Sequence, residues 1–278
     1  MRTSTQYCKP GLPKITARAL QRAKPVVMGI VNCTPDSFYP GSRGGIDHAL
    51  RLIDEGADWI DVGGQSTRPG SDPISLDEEL NRVLPVIEAI ASKTTVSVDT
   101  DKPEVARRAR DGGAKILNDV TALRNGCMPE AVKFDRVILM HMGGDSPKTM
   151  QVDPRYGDVV AEVGAFLRQR LDAFEQAGGE RAKALIDPGI GFGKNLGHNL
   201  SLLKHLDALA AVAPVVLGAS RKSFLSKITP DGGPEQRLEG SLAAALWGAA
   251  RGAAVLRVHD VAATRRAVDA FAAIQEAV

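Results

Sequence analysis

Aromatic residues are scarce, 4% of 278. Proteins that grip single-stranded nucleic acid stack bases on such rings, so that mode of binding is excluded. Charge of either sign hardly prevails. Thirty-five basic residues against 33 acidic ones leave a net charge of +2. No global field attracts nucleic acid or an anionic membrane. Cysteine is rarer still. Cys8, Cys33 and Cys127 are odd in number and show neither CxxC nor zinc spacing. They exclude a disulfide scaffold and predict reduced thiols in the cytoplasm. Apolar runs all fall well short of the roughly 18 residues a membrane helix needs. Glycine alone is in excess, 28 of 278, about one in ten against an average of roughly 7%.

Residues 1–24 read as a separate N-terminal extension. Arg2, Lys9, Lys14, Arg18, Arg22 and Lys24 are basic and no residue there is acidic. Pro10, Gly11 and Pro13 interrupt any amphipathic helix, which favours a cytosolic arm over a transit segment. From residue 25 to 278 one domain is expected. Short β-branched runs alternate with longer segments of helical period. Strands are predicted at 26–31, 59–62, 95–98, 116–117, 137–140, 184–186, 215–217 and 255–258. Leu76, Leu80, Val83, Leu84 and Ile87 repeat at helical spacing, with Pro85 expected to bend that helix or remove one bond. Helices are also predicted over 102–112, 156–176, 197–211, 235–251 and 262–276. Gly56, Gly113, Gly178 and Gly252 close several of them, as left-handed caps do. Eight such alternations predict an α/β fold, a (β/α)8 TIM barrel. A doubly wound open sheet has the same period.

Polar residues favour the barrel. The predicted strands end in Asn32, Gly63-Gly64, Asp99, Asn118-Asp119, His141, Asp187, Ser220-Arg221-Lys222 and His259. One polar strand end is ordinary turn chemistry. Eight converge on one face only in a barrel, where the active sites of that architecture lie.

The ends also suggest a ligand. Gly189-x-Gly191-x-Gly193 follows a strand, yet Pro188 and Asn195 break a Walker loop and Lys194 breaks the dinucleotide spacing. Arg257 and His259 lie two apart on a strand and share a face. With Arg68, Lys222 and Arg221 they suit phosphate or pyrophosphate, although Arg221 serves equally well in an ion pair. Asp99, Asn118 and Asp187 suit a heterocycle edge with adjacent N–H donors. Each also has an ordinary structural reading, Asp187 as a turn initiator and Asn118 as a helix cap. Zinc hydrolysis is disfavoured because the first strand has no histidine. His48, His198 and His205 read as solvated helix residues.

The segments MGIVNCTPDSF (28–38), GGQSTRPGS (63–71), SVDT (97–100), LND (117–119), MHM (140–142), DPGIGFGK (187–194), SRKSF (220–224) and RVHDV (257–261) together resemble the dihydropteroate synthases of folate biosynthesis. The resemblance spans about residues 25–270. It implies condensation of 6-hydroxymethyl-7,8-dihydropterin pyrophosphate with para-aminobenzoate by a dissociative route. It implies a homodimer and a sulfonamide-binding pocket. It places the pterin on Asp99, Asn118, Met140, Asp187, Phe192 and Lys222. It places para-aminobenzoate on Phe38, Thr67, Pro69 and Ser223. It places pyrophosphate on Asn32, Arg68, Arg257 and His259, with Mg²⁺ at Asn32. Asp36, Arg68, Lys222, Arg257 and His259 are the implied catalytic set. Acids and bases are then expected on separate sides of the site, and loops at about 33–45 and 64–75 are expected to close over it.

Two positions depart from the family pattern. Pro40 replaces an acid, and Gln65 stands where glutamate is usual. Both remove negative charge near the expected cation, which leaves Asp36 for that role. These departures are the support for a non-catalytic pterin-binding paralogue. A pterin-dependent methyltransferase with a corrinoid partner shares Asp99, Asn118 and Asp187 but needs neither the STRPG segment nor Arg257-x-His259. The small-residue stretch Gly240–Gly252 suits either a dimer interface or packing of a helix on its own barrel.

Overall fold

Strands that are covered on both faces need apolar residues at nearly every position, and these runs have them. The computed structural model describes residues 24–33, 45–66, 71–144, 150–151, 153–229 and 233–277. Eight strands pair in parallel, in chain order, and close into a barrel. They are β1 (Val26–Asn32), β2 (Trp59–Gly63), β3 (Thr95–Asp99), β4 (Ile116–Asp119), β5 (Arg136–Met140), β6 (Ala184–Asp187), β7 (Val215–Leu217) and β8 (Ala253–Val258). Closure comes from β1 beside β8, with Val26 opposite Val255 and Gly29 opposite Val258. Each predicted strand is present, several one or two residues longer. The (β/α)8 barrel is therefore the fold, and the open sheet is not.

Helices α1 (Ile46–Asp54), α2 (Leu76–Ile90), α3 (Pro103–Asp111), α4 (Met128–Ala131), α5 (Val159–Gln176), α6 (Leu196–Lys204), α7 (Leu206–Ala210), α8 (Leu238–Ala250) and α9 (Val261–Glu276) fill the connections. Their starts follow cap chemistry. Ser75 accepts from the Glu78 N–H, and Asp158 accepts from the N–H groups of Val160 and Ala161. All four expected glycine caps have φ between +91° and +109°. Helix α2 runs unbroken through Pro85, an exposed position where water reaches the carbonyl left without a donor.

Three boundaries differ from the sequence reading. The segment 156–176 becomes helical only at Val159, because Asp158 caps it. The segment 197–211 is two helices: His205 leaves helical geometry (φ −110°, ψ 32°), and buried Leu206 and Leu209 begin a new turn. The segment 235–251 opens with a 3-10 turn over Pro234–Arg237. Within α8, Ser241, Ala244, Ala245 and Gly248 form one buried face. A methyl on Gly248 would lie 2.2 Å from Leu217 of β7. The small residues of this stretch thus let α8 lie close to its own barrel.

Strand alternation divides the interior into two levels. Met28, Trp59, Ile116, Ile138, Leu185 and Val216 point inward and form an apolar floor. Two to four residues further along the same strands, at the same parity, stand Asn32, Asp61, Asn118, Met140 and Asp187. Arg257 and His259 occupy that parity on β8 and just beyond it. The outward set, including Val31, Ile60, Val98 and Leu139, packs beneath the helices. Among the described residues, no helix is long and apolar enough to cross a membrane.

Candidate active site

The polar level opens into a cavity of about 690 Å³ at the carboxyl ends of the strands. Asn32, Asp99, Phe192, Lys222, Ser223, Arg257 and His259 all line it. Met140 lies just beneath, in a cluster with Val120, Met142 and Met150 that carries Phe192. Asn118 and Asp187 are buried at the ends of β4 and β6. Seven of the predicted residues that the structure describes thus line one cavity, and Asn118, Met140 and Asp187 lie buried on the strands around it. Asp36, Phe38, Thr67, Arg68 and Pro69, with Pro40 and residues 1–23, lie outside the described residues.

Charges meet in this mouth instead of separating. Arg257 Nε donates to Asp61 Oδ2 at 2.6 Å, and its Nη2 donates to Asp99 Oδ2 at 2.9 Å. This corrects the expectation of acids on one side and bases on the other. A guanidinium drawn into a barrel gives up much of its water and needs counter-charges close by. Burial pulls Arg257 down, but Asp61 and Asp99 outweigh it and hold the guanidinium firmly charged. Asp99 is pushed up by burial and by the Asp61 charge, against the pull of Arg257. The same Asp61 oxygen accepts from Asn118 Nδ2 at 3.0 Å. Asn118 is therefore no helix cap.

Asp61 stands at the end of strand two in the sequence but carries no expected role there. It is fully buried, and its other carboxylate oxygen has no partner among the described residues. Parity was the available signal: Asp61 follows the inward Trp59 by two residues on β2.

On the opposite wall, Asp187 begins the glycine turn. Its Oδ1 accepts from the Gly189 N–H at 2.6 Å, so it is a turn residue as well as a candidate ligand group. Burial raises its pKa. Lys222 Nζ donates to the Ile190 carbonyl at 2.8 Å and lies 4.0 Å from the Phe192 ring centroid. Burial lowers Lys222 to about 7, with Asp187 opposing and Arg257 adding to the shift. Arg221, by contrast, pairs with Asp260 through Nε at 2.8 Å, which favours the ion-pair reading for this residue. His259 is joined to Ser220, its Nδ1 3.1 Å from Oγ.

The other histidines depart from expectation. His48 is buried with Arg51 at its Nδ1, and His198 completes a capping box with Asn195. Only His205 is exposed. Neither described cysteine is activated. Burial pushes Cys33 up to about 11 and raises Cys127 as well.

A closed parallel barrel with acids, an amide, a lysine and an arginine above an apolar floor at the carboxyl ends of its strands defines the class: a TIM-barrel enzyme. The comparisons give the family. Residues 28–259 match the model of the pterin binding enzymes. The dihydropteroate synthase of Escherichia coli K12 is 47% identical over 260 residues, covering 90% of this chain and 92% of that protein. The structure of Xanthomonas albilineans dihydropteroate synthase with 4-aminobenzoic acid superposes with a TM-score of 0.85 at 48% identity, covering 92% of this chain and 94% of that one. The Yersinia pestis dihydropteroate synthase in a sulfonamide complex gives 0.87 at 41% identity, covering 95% and 99%. The chain belongs to the pterin binding enzymes and, within them, to the dihydropteroate synthases.

Proposed function

We propose that this enzyme joins 6-hydroxymethyl-7,8-dihydropterin pyrophosphate to para-aminobenzoate, releasing 7,8-dihydropteroate and pyrophosphate by a dissociative route. The observation that carries this is the polar level above the apolar floor. Asp99, Lys222, Arg257 and His259 line one cavity, and buried Asn118 and Asp187 stand on β4 and β6 of the same barrel level. A pterin presents adjacent N–H donors, which the acids and the amide oxygen accept. Met140 and Phe192 would flank its ring.

Arg257 and His259 would hold the pyrophosphate. The Nε and Nη2 groups of Arg257 go to the acids, and Nη1 makes no bond among the described residues. The two acids aim the guanidinium, and its charge favours the anion as it departs. Mg²⁺ in such sites is held by one or two protein oxygens plus substrate phosphates. Among the described residues, no group of three or more His, Cys, Asp or Glu is placed to hold a metal. The Asn32 amide stands at the inward end of β1 and lines the cavity. That donor set fits a Mg²⁺ that arrives with pyrophosphate, and Asn32 would hold it. Bound there, the ion would neutralise charge on the leaving group.

The arylamine would enter past Ser223 and attack the cationic methylene once pyrophosphate has left. Lys222, lowered by burial to about 7, would stand at the pterin face. No enzyme nucleophile is required, and the raised thiols of Cys33 and Cys127 suit that route. Phe38, Thr67, Arg68, Pro69 and Asp36 would take the roles the resemblance implies.

Pyrophosphate release on mixing the pterin substrate, para-aminobenzoate and Mg²⁺ tests this directly. Release that requires the arylamine is expected. Pterin binding without release would favour the non-catalytic paralogue.

A further inference from the structure

Lys194 is used neither by the barrel core nor by the proposed chemistry, yet only 3% of it is exposed. Its Nζ donates to three acceptors: His141 Nδ1 at 2.9 Å, the Phe192 carbonyl at 2.9 Å and the His141 carbonyl at 3.4 Å. Below about pH 7, where Lys194 is an ammonium with three N–H donors and no acceptor, this set satisfies it only if His141 is neutral. Burial and the Lys194 charge hold His141 well below its ordinary range, at about 3, which keeps that nitrogen an acceptor.

The surroundings give the bond a purpose. Three successive carbonyls of the glycine turn, at Ile190, Gly191 and Phe192, are each held by a different side chain: Lys222, Gln151 and Lys194. Asn199 accepts from the Gly191 N–H at 2.7 Å, and Tyr156 donates to the Gly193 carbonyl at 3.0 Å. A methyl on Gly189 would sit 1.8 Å from the His141 carbonyl oxygen, so the turn lies directly on the end of β5. His141 is itself fixed edge-on against Phe166, with centroids 4.9 Å apart. The chain of contacts therefore runs from a helix-packed ring, through His141 and Lys194, to the backbone of Phe192.

We propose that Lys194 is a positioning residue that, through His141, sets the turn carrying Asp187 and Phe192 at the distance a pterin ring requires. This deepens the pterin-site reading and rests on it.

Three variants test it: Lys194→Met, His141→Leu and His141→Asn. The Asn side-chain oxygen can take the place of Nδ1. Each is assayed for the KM of the pterin substrate, the KM of para-aminobenzoate, binding of 6-hydroxymethylpterin by calorimetry, and Tm. Lys194→Met and His141→Leu are expected to raise the pterin KM and the pterin Kd about tenfold, because sub-ångström misplacement of binding groups is enough for that. The KM for para-aminobenzoate should stay within about twofold. His141→Asn should return pterin affinity to within about threefold of wild type. A lowered Tm with unchanged pterin KM would overturn the proposal, as would equal pterin affinities for His141→Leu and His141→Asn. If Lys194→Met does not fold, the His141 pair decides by the same criterion. A wild-type protein that binds no pterin would overturn the site reading and this inference with it, and that failure is visible without any variant.

Discussion

Asp187 serves two masters, and one substitution separates them. Its Oδ1 holds the Gly189 N–H, while its charge is available to a ligand. Asparagine keeps an oxygen for the turn and loses the charge. Asp187→Asn is therefore expected to weaken pterin binding by about 2 kcal/mol, roughly thirtyfold in Kd. Stability at pH 7 should not fall, because burial already disfavours the ionised acid. Calorimetry and thermal unfolding check the two halves. Unchanged affinity would make Asp187 a turn residue alone. Two glycines give a matching contrast. Gly189 (φ +65°) and Gly178 (φ +93°) both lie in the left-handed region. Only Gly189 faces a backbone oxygen 1.8 Å from its missing methyl, whereas Gly178 has nothing within 4 Å. Gly178→Ala should cost about 1 kcal/mol of stability, the backbone penalty by itself. Gly189→Ala should cost at least about 4 kcal/mol or prevent folding. Denaturant titration of the pair measures the difference.

Between elements, a buried network joins β2, α2 and the chain between β3 and α3. Glu79 of α2 is 1% exposed. It accepts from Thr100 Oγ1 at 2.6 Å and from Lys102 Nζ at 2.5 Å. Lys102 also donates to Gln65 Oε1 at 2.8 Å, and that same oxygen accepts from the Ile74 N–H at 3.1 Å. Gln65, a departure from the family pattern, thus joins the two ends of the segment after β2. Lys102→Met strands the Glu79 charge with only Thr100 beside it, for an expected loss of about 3 kcal/mol. The double variant with Glu79→Gln should lose less than the sum of the single losses, since the stranded charge is gone. Denaturant midpoints of the four proteins decide it. Nothing in the sequence pointed to this network, because its bonded side-chain pairs lie 21 to 37 positions apart and Glu79 occupies an ordinary helix first turn. Strands and their polar ends were legible because short β-branched runs and glycine caps are local signals. Partners such as Asp61 with Arg257, 196 positions apart, are created only by barrel closure. The break at His205 was hidden for a related reason: α6 and α7 are both apolar on the barrel side, and the change of direction leaves no local mark.

For the molecule as a whole, the mouth is the place where burial opposes ionisation. Burial pushes Asp99 and Asp187 up and pulls Lys194 and Lys222 down to about 7. Burying these groups therefore carries a stability cost near neutral pH. The lysine part has a definite sign. Lys194 titrates near 7 when folded and near its ordinary 10.5 when unfolded. Between those values the unfolded chain binds the extra proton, so folding stability rises with pH across that window. Below about 7 the lysine is charged in both states, and the full cost of burying the charge is present. Lys194→Met lacks this dependence. The stability of the variant minus that of the wild type should therefore fall steadily from pH 7 to 10.5, whatever constant offset the lost hydrogen bonds impose. Denaturant unfolding of both proteins at half-unit steps measures the slope. A flat difference would mean that Lys194 keeps its ordinary pKa when folded, and the site would then hold a full ammonium beside His141 across the whole neutral range.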